Sequence, residues 1–283
     1  MRGACSFRTA VVAWAAPVAS VLALLLMAAP GCGGGAGELS PPAAVTLPPR
    51  TLDYVTAVLQ TNSRRWMTLQ AACRVTVASP QIPQPGNRVT FRSGRLYFQK
   101  PGKVHLRVPD SGDPSLKIVG DGQAYQAQMP VFEDRYSGLY GDPVVSRPRR
   151  IHFLPADIAY ALEPADALRG MGLAFKQTEQ FAAIDCLDFV TEPEPSLKVV
   201  SSVLFGKRTD TVPQVETFGD DGAIRSRVSR LLIRAEPGLH DEPVPLPHAL
   251  LIIYPQERTS ILMALTDLKL NAELNPELFE LTE

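Results

Sequence analysis

The spacing of apolar residues changes period three times along this chain. After Thr51, the residues Leu52, Val55, Leu59, Trp66 and Leu69 recur at three-, four- and seven-residue intervals. This predicts an amphipathic helix over 52–72 with Thr51 as its N-cap. Alternation by two then takes over at CRVTV (73–77) and NRVTFRS (87–93), where Val89 and Phe91 keep the phase. The stretch RLYFQKPGKVHLRV (95–108) reads as a hairpin: Leu96 and Phe98 on one face, then Val104, Leu106 and Val108, with Lys100-Pro101-Gly102-Lys103 as the turn. His105, between Val104 and Leu106, is expected on the polar face. Leu116 and Ile118 begin another strand, which turns at Gly120-Asp121-Gly122.

The polar stretch EDRYSGLYGDPVVSRPRR (133–150) interrupts the strands and reads as a solvated loop. A second helix is expected at 155–163, because Pro155 suits a first turn, Ile158 and Leu162 share a face, and Pro164 ends the pattern. Strands then return at AAIDCLDFVTE, SLKVVSSVLFGK, PQVETFGDDGAIRSRVSRLLI, HALLIIYP and TSILMALTDLKLN, with a hairpin signal at Asp220-Asp221-Gly222. Roughly ten strands with two main helices make a mainly β (α+β) antiparallel meander rather than a βαβ alternation. A sheet of that size curls. If it curls without closing, its concave face needs a cover, and two apolar-faced helices are available.

The N-terminus changes the picture of where this domain works. Arg2 and Arg8 precede an apolar run from Val11 to Ala29, followed by Pro30-Gly31-Cys32. A basic start, an apolar segment and small residues before a cysteine resemble the lipobox of bacterial lipoproteins, with Cys32 as the acylated residue. Pro30 departs from that pattern and leaves an uncleaved anchor or a plain secretory signal open. The expected organisation is an export signal over 1–32, a flexible Gly/Pro-rich tether over 33–50 and one folded domain over 51–283. A formal net charge of −1 without a Lys/Arg cluster argues against a nucleic-acid partner. Of four cysteines, Cys73 and Cys186 remain in the domain. A disulfide between them would contribute about 4 to 5 kcal/mol, and two buried free thiols are the competing reading.

GRLYFQKPGKVHLRV, SLKIVGDGQAYQAQMP and the ending LTDLKLNAELNPELFEL together, in that order, resemble the periplasmic outer-membrane lipoprotein carrier and receptor family (LolA/LolB-like half-barrels) over about residues 52 to 281. The resemblance implies an incomplete antiparallel barrel with helices in its mouth and an apolar cavity for lipid or lipoprotein acyl chains. Leu96, Phe98, Val104, Leu106, Val108, Ile118, Ile158 and Leu162 would line it. Lys100 stands where the carrier has an arginine that hydrogen-bonds the lid, so the expected latch is looser, because lysine lacks the planar guanidinium fork. The implied function is a periplasmic protein, lipid-anchored through Cys32 as the receptor is, acting in lipoprotein sorting or lipid transfer. Gly33 after the cysteine implies the outer membrane. The other reading is a half-barrel envelope sensor or scaffold that works through a protein partner.

Enzymatic chemistry has little to stand on. The histidines are His105, His152, His240 and His248, and HExxH, GxSxG, P-loop and CxxC motifs are absent. His240, Asp241, Glu242 and His248 in HDEPVPLPH carry metal-ligand chemistry, but a Pro-rich loop explains them as well, so neither a metal nor a cofactor is assigned. Tyr136, Tyr140, Arg147, Arg149 and Arg150 are of the residue types that touch headgroups or a partner protein.

Overall fold

Thirteen strands form one antiparallel sheet in the computed structural model, which describes residues 49–82, 86–108, 115–129, 134–140, 153–168, 172–190 and 196–281, all in the unit Thr46–Glu283. The chain enters through helix α1 (Leu52–Arg64) and runs through β1 (Thr68–Ala78), β2 (Arg88–Gln99), β3 (Lys103–Val108), β4 (Leu116–Gly120), β5 (Ala124–Met129) and β6 (Asp134–Leu139). Helix α2 (Pro155–Leu162) and a 3-10 turn (Pro164–Leu168) follow. The second meander is β7 (Gly172–Gln177), β8 (Phe181–Val190), β9 (Ser196–Gly206), β10 (Thr211–Phe218), β11 (Ile224–Pro237), β12 (Pro243–Tyr254) and β13 (Thr259–Leu270).

The two meanders join where the first strand meets the last, β1 pairing antiparallel with β13. Strand order runs β6-β5-β4-β3-β2-β1-β13-β12-β11-β10-β9-β8-β7, so β6 and β7 are free edges and the sheet is an open half-barrel. Bulges bend it: the register shifts between Gln70 and Ala72 against β13, and between Cys73 and Val75 against β2. At the second bulge Gly94 is required, since a Cβ there would lie 2.7 Å from Cys73 Sγ and 2.9 Å from Val108 Cγ2.

The expected sheet is thus present with more strands than expected. β6 arises within 133–150, which had read as loop, and pairs with β5 from Ala124↔Leu139 to Met129↔Asp134. The expected helix over 52–72 ends at Arg64 instead. Beyond it, Leu69, Ala71, Cys73, Val75 and Val77 are buried at every second position of β1, so period two is already established at Leu69. Thr51 caps α1 as expected, its Oγ1 accepting from Tyr54 N–H at 3.1 Å.

Two apolar clusters lie on the sheet. The larger gathers β1–β5 and β11–β13 around α2; the smaller packs Val55 and Leu59 of α1 against Ile184, Val203, Phe205 and Val215 of β8–β10. No helix among the described residues is long and apolar enough to cross a membrane.

Candidate functional site

All eight residues expected to line a cavity meet in the larger cluster. Leu96, Phe98, Val104, Leu106, Val108 and Ile118 from β2, β3 and β4 pack with Ile158 and Leu162 of α2, and each is buried. Alternation in β2 and β3 explains this, because the cross-strand pairs Leu96↔Leu106 and Phe98↔Val104 put both apolar rows on one face. The hollow itself is occupied. Pro155, Ala156, Asp157, Ile158, Ala159, Ala161 and Leu162 are all buried, so α2 fills the concave face as a plug.

At its N-terminal end, α2 is held by side chains of the sheet. Leu154 at the N-cap position offers no side-chain cap. Asp157, in the first turn, is fully buried and accepts from Ser226 Oγ at 2.5 Å and from Tyr254 Oη at 2.7 Å. The helix dipole favours a carboxylate there. Tyr254 Oη also accepts from Leu154 N–H at 3.2 Å, and burial together with the nearby Asp157 raises the phenol well above its usual pKa. Tyr136 Oη accepts from Phe153 N–H at 3.2 Å, and Tyr140 Oη donates to the Pro155 carbonyl at 3.3 Å. These two tyrosines, expected at a solvated interface, therefore seat α2 instead: β6 turns Tyr136 inward to a buried position, and Tyr140 is half-buried beside it.

At its C-terminal end, Lys100 joins both helices to the hairpin turn. Its Nζ donates to the Ser63 carbonyl of α1 at 2.5 Å, lies 3.9 Å from the Trp66 ring centroid and pairs with the Glu163 carboxylate at the C-cap of α2. A cation at the carbonyl end of α1 follows the helix dipole; a carboxylate at the carbonyl end of α2 opposes it, and the lysine offsets that conflict. Burial pushes the Lys100 pKa down, and the Glu163 charge opposes the shift. Glu163 read in sequence only as the residue before a helix-stopping proline. An acid at a helix C-terminus was the available signal.

Arg230 of β11 completes this corner and was also missed. It shares the inward phase of Ser226 and Val228, and a charge in an inward phase marks a buried partner. Its guanidinium donates to the Val212 carbonyl at 2.9 Å and the Pro245 carbonyl at 3.0 Å, while Nε is buried without a hydrogen-bond partner. Burial lowers its pKa to about 10, with Glu163 acting in the opposite direction. Arg230, Glu163, Ser63 and Trp66 share a gap of about 30 Å³. A larger open groove of about 780 Å³ runs beside α2, bordered by Gly102, Gly122, Tyr160, Asp166, Ser201 and Arg225. None of the eight expected cavity residues borders it.

No family model matches the chain, and no curated protein matches it. Solved structures do. A DUF1329 family protein from Desulfovibrio piger aligns with 12% identity and TM-score 0.48 over 81% of this chain and 97% of its own. A putative outer membrane lipoprotein-sorting protein domain from Vibrio parahaemolyticus aligns with 12% identity and TM-score 0.49 over 79% and 95%. A LolA superfamily protein from Nitrosomonas europaea aligns with 8% identity and TM-score 0.49 over 80% and 97%. The half-barrel assignment rests on the chain's own sheet.

The remaining sequence candidates disperse. Cys73 and Cys186 are free and buried rather than bridged, because β1 and β8 are separated by five intervening strands. Burial pushes the Cys73 thiol up to about 12. In HDEPVPLPH, Glu242 pairs with Arg65 at 2.7 Å and His248 with Glu236 at 2.7 Å, and no three metal-ligating side chains gather among the described residues. His105 does leave the apolar face, but it does not reach solvent. The C-terminal 3-10 turn (Pro276–Phe279) covers it, and its Nδ1 lies 2.6 Å from the Leu278 carbonyl. Cys32, Arg147, Arg149, Arg150 and His152 lie outside the described residues.

Proposed function

We propose that this protein binds lipid or lipoprotein acyl chains in the half-barrel, with α2 as a displaceable lid, and that it does so at the periplasmic face of a bacterial membrane, anchored through Cys32. The observation that carries this reading is the plug itself. An eight-residue helix, too short to persist alone, occupies the concave face of an open sheet and is buried nearly all round. Each buried CH₂ is worth about 0.8 kcal/mol, so an acyl chain bound in an empty hollow would be held too tightly for transfer. A plug that must first leave subtracts its own burial from that affinity and makes binding reversible. Lys100 is the latch in this scheme, holding Glu163 of the lid to the hairpin turn.

Two measurements test it. Protein made without residues 1–32 should carry co-purified lipid or lipoprotein in native mass spectrometry. Empty protein that captures an envelope partner would favour the sensor reading. Lys100→Ala should keep the fold and raise binding of a fluorescent hydrophobic probe severalfold, whereas binding and release identical to wild type would remove the latch.

A further inference from the structure

The lid is charged with one sign and its seat with the other. Residues 155–168 carry the carboxylates Asp157, Glu163 and Asp166 and neither lysine nor arginine. The sheet meets the C-terminal end of this segment with two cations: Arg230 of β11, which is buried, and Lys100 of the β2–β3 turn, whose side chain is 9% exposed. Glu163 is ion-paired to Lys100 and acts electrostatically on Arg230. Asp166 acts on Lys100 from farther away, and Asp210, at the edge of the same gap, is engaged by Arg50 at 3.0 Å. The two cations belong to the fixed sheet; the carboxylates of residues 155–168 all move with the lid.

We infer that Lys100 and Arg230 form an anion site that Glu163 occupies from within when the lid is closed, and that an anionic amphiphile, a phospholipid with a phosphodiester headgroup such as phosphatidylglycerol, occupies it when the lid is displaced. This deepens the acyl-chain reading and rests on it. Moving the lid without replacing its carboxylate would take the counter-charge from Lys100 and the neighbouring negative charge from Arg230, leaving both cations with only neutral acceptors beside apolar walls, which is costly. A neutral lipid bears that cost in full. An anionic lipid returns a charge to the same place, and Arg230, which lines the 30 Å³ gap, has a buried and unpartnered Nε–H, a donor that Glu163 leaves unused. The lid thus imitates its cargo, with an apolar body and an acid at the end that meets the cations.

The test uses the full chain in phosphatidylcholine vesicles doped with photoactivatable phosphatidylglycerol or with diacylglycerol of identical chains, and reads the ratio of labelling of residues 95–118 by the two probes. The folded fraction divides out of a ratio, so a partly unfolded variant still reports. Wild type should favour the anionic probe about tenfold, the worth of one charge-assisted hydrogen bond. Lys100→Gln and Arg230→Gln should each move the ratio toward one. Glu163→Gln should raise labelling by both probes and keep the ratio, since it frees the lid but leaves the cations. A wild-type ratio near one, or a ratio unmoved in both cation variants, overturns the anion site while leaving acyl-chain binding intact. Labelling by neither probe overturns both. Millimolar inorganic phosphate that abolishes the preference would assign the site to a free anion and overturn the headgroup assignment.

Discussion

The two helices lie over one sheet and are stabilised in opposite ways. α1 supplies its own end devices: Thr51 caps it, Asp53 and Arg64 complement its dipole, and only Val55 and Leu59 are buried. α2 has no side-chain cap, ends in an acid and is buried nearly all round. Every device that holds it comes from elsewhere in the chain: Tyr136, Tyr140, Tyr254 and Ser226 at one end, Lys100 at the other. A helix stabilised from within stays put when its surroundings change. One stabilised wholly by its seat is released when the seat is taken, and this contrast is the physical basis for assigning the lid role to α2.

The largest expected effect comes from spoiling that seat. Leu106→Glu places a charge without a partner in the wall beneath α2, at a cost of several kcal/mol. It should either fail to fold or fold without binding lipid, read by denaturant unfolding and by co-purified lipid. Normal folding with normal lipid binding would show that this face is ordinary sheet. Tyr254→Phe is the next step down. It removes the 2.7 Å hydrogen bond to the buried Asp157 carboxylate and should cost about 2 kcal/mol, with stronger binding of a hydrophobic probe as α2 loosens.

Thr51→Ala is the matched control on the other helix. Loss of the cap should cost about 1 kcal/mol in global stability and leave probe binding unchanged, because α1 does not close the hollow. Equal increases in probe binding for Tyr254→Phe and Thr51→Ala would erase the distinction between the helices.

The smallest effect is a pH dependence at the outer face of the hairpin. Burial holds the His105 pKa below its ordinary 6.5, with Lys117 and Arg107 also disfavouring the proton and the Leu278 carbonyl opposing them. The folded protein therefore takes up this proton at lower pH than the unfolded chain does. Stability from this group is complete above 6.5, falls as pH drops from 6.5 toward the folded pKa, and levels off below it. His105→Gln should flatten that part of the stability profile, measured by urea unfolding between pH 7 and 5. A profile unchanged by the substitution would place His105 outside the titration.

Local pattern carried much of this architecture. The hairpin pairing of Leu96 with Leu106 and the turn at Asp221-Gly222 follow from alternation and turn chemistry, and both are present, with Asp221 Oδ1 accepting from Ala223 N–H at 2.9 Å. α2 was legible because Pro155 and Pro164 bracket it. Edge strands were not. β7 carries a weak, partly exposed apolar pattern, and β6 lies in a Gly- and Tyr-containing stretch whose pairing depends on β5 as template. The end of α1 was misplaced because Trp66 and Leu69 keep helical spacing from Leu59, while Leu69 also opens the period-two alternation of β1. The partners of Lys100 escaped for a different reason. Lys100, Glu163 and Arg230 are far apart in sequence and meet only in the folded sheet, so Glu163 resembled a helix stop and Arg230 a strand arginine, while Lys100 was singled out only through the family resemblance.

The central claim is that lipid replaces α2 in the half-barrel, and hydrogen exchange of the α2 amides with and without bound lipid tests it most directly. The account predicts that lipid accelerates exchange across residues 156–162, whose amides lose their packing, while β1, β13 and α1 keep their protection. Lipid that binds and leaves those amides equally or better protected would contradict it, because the plug would then be a permanent part of the core.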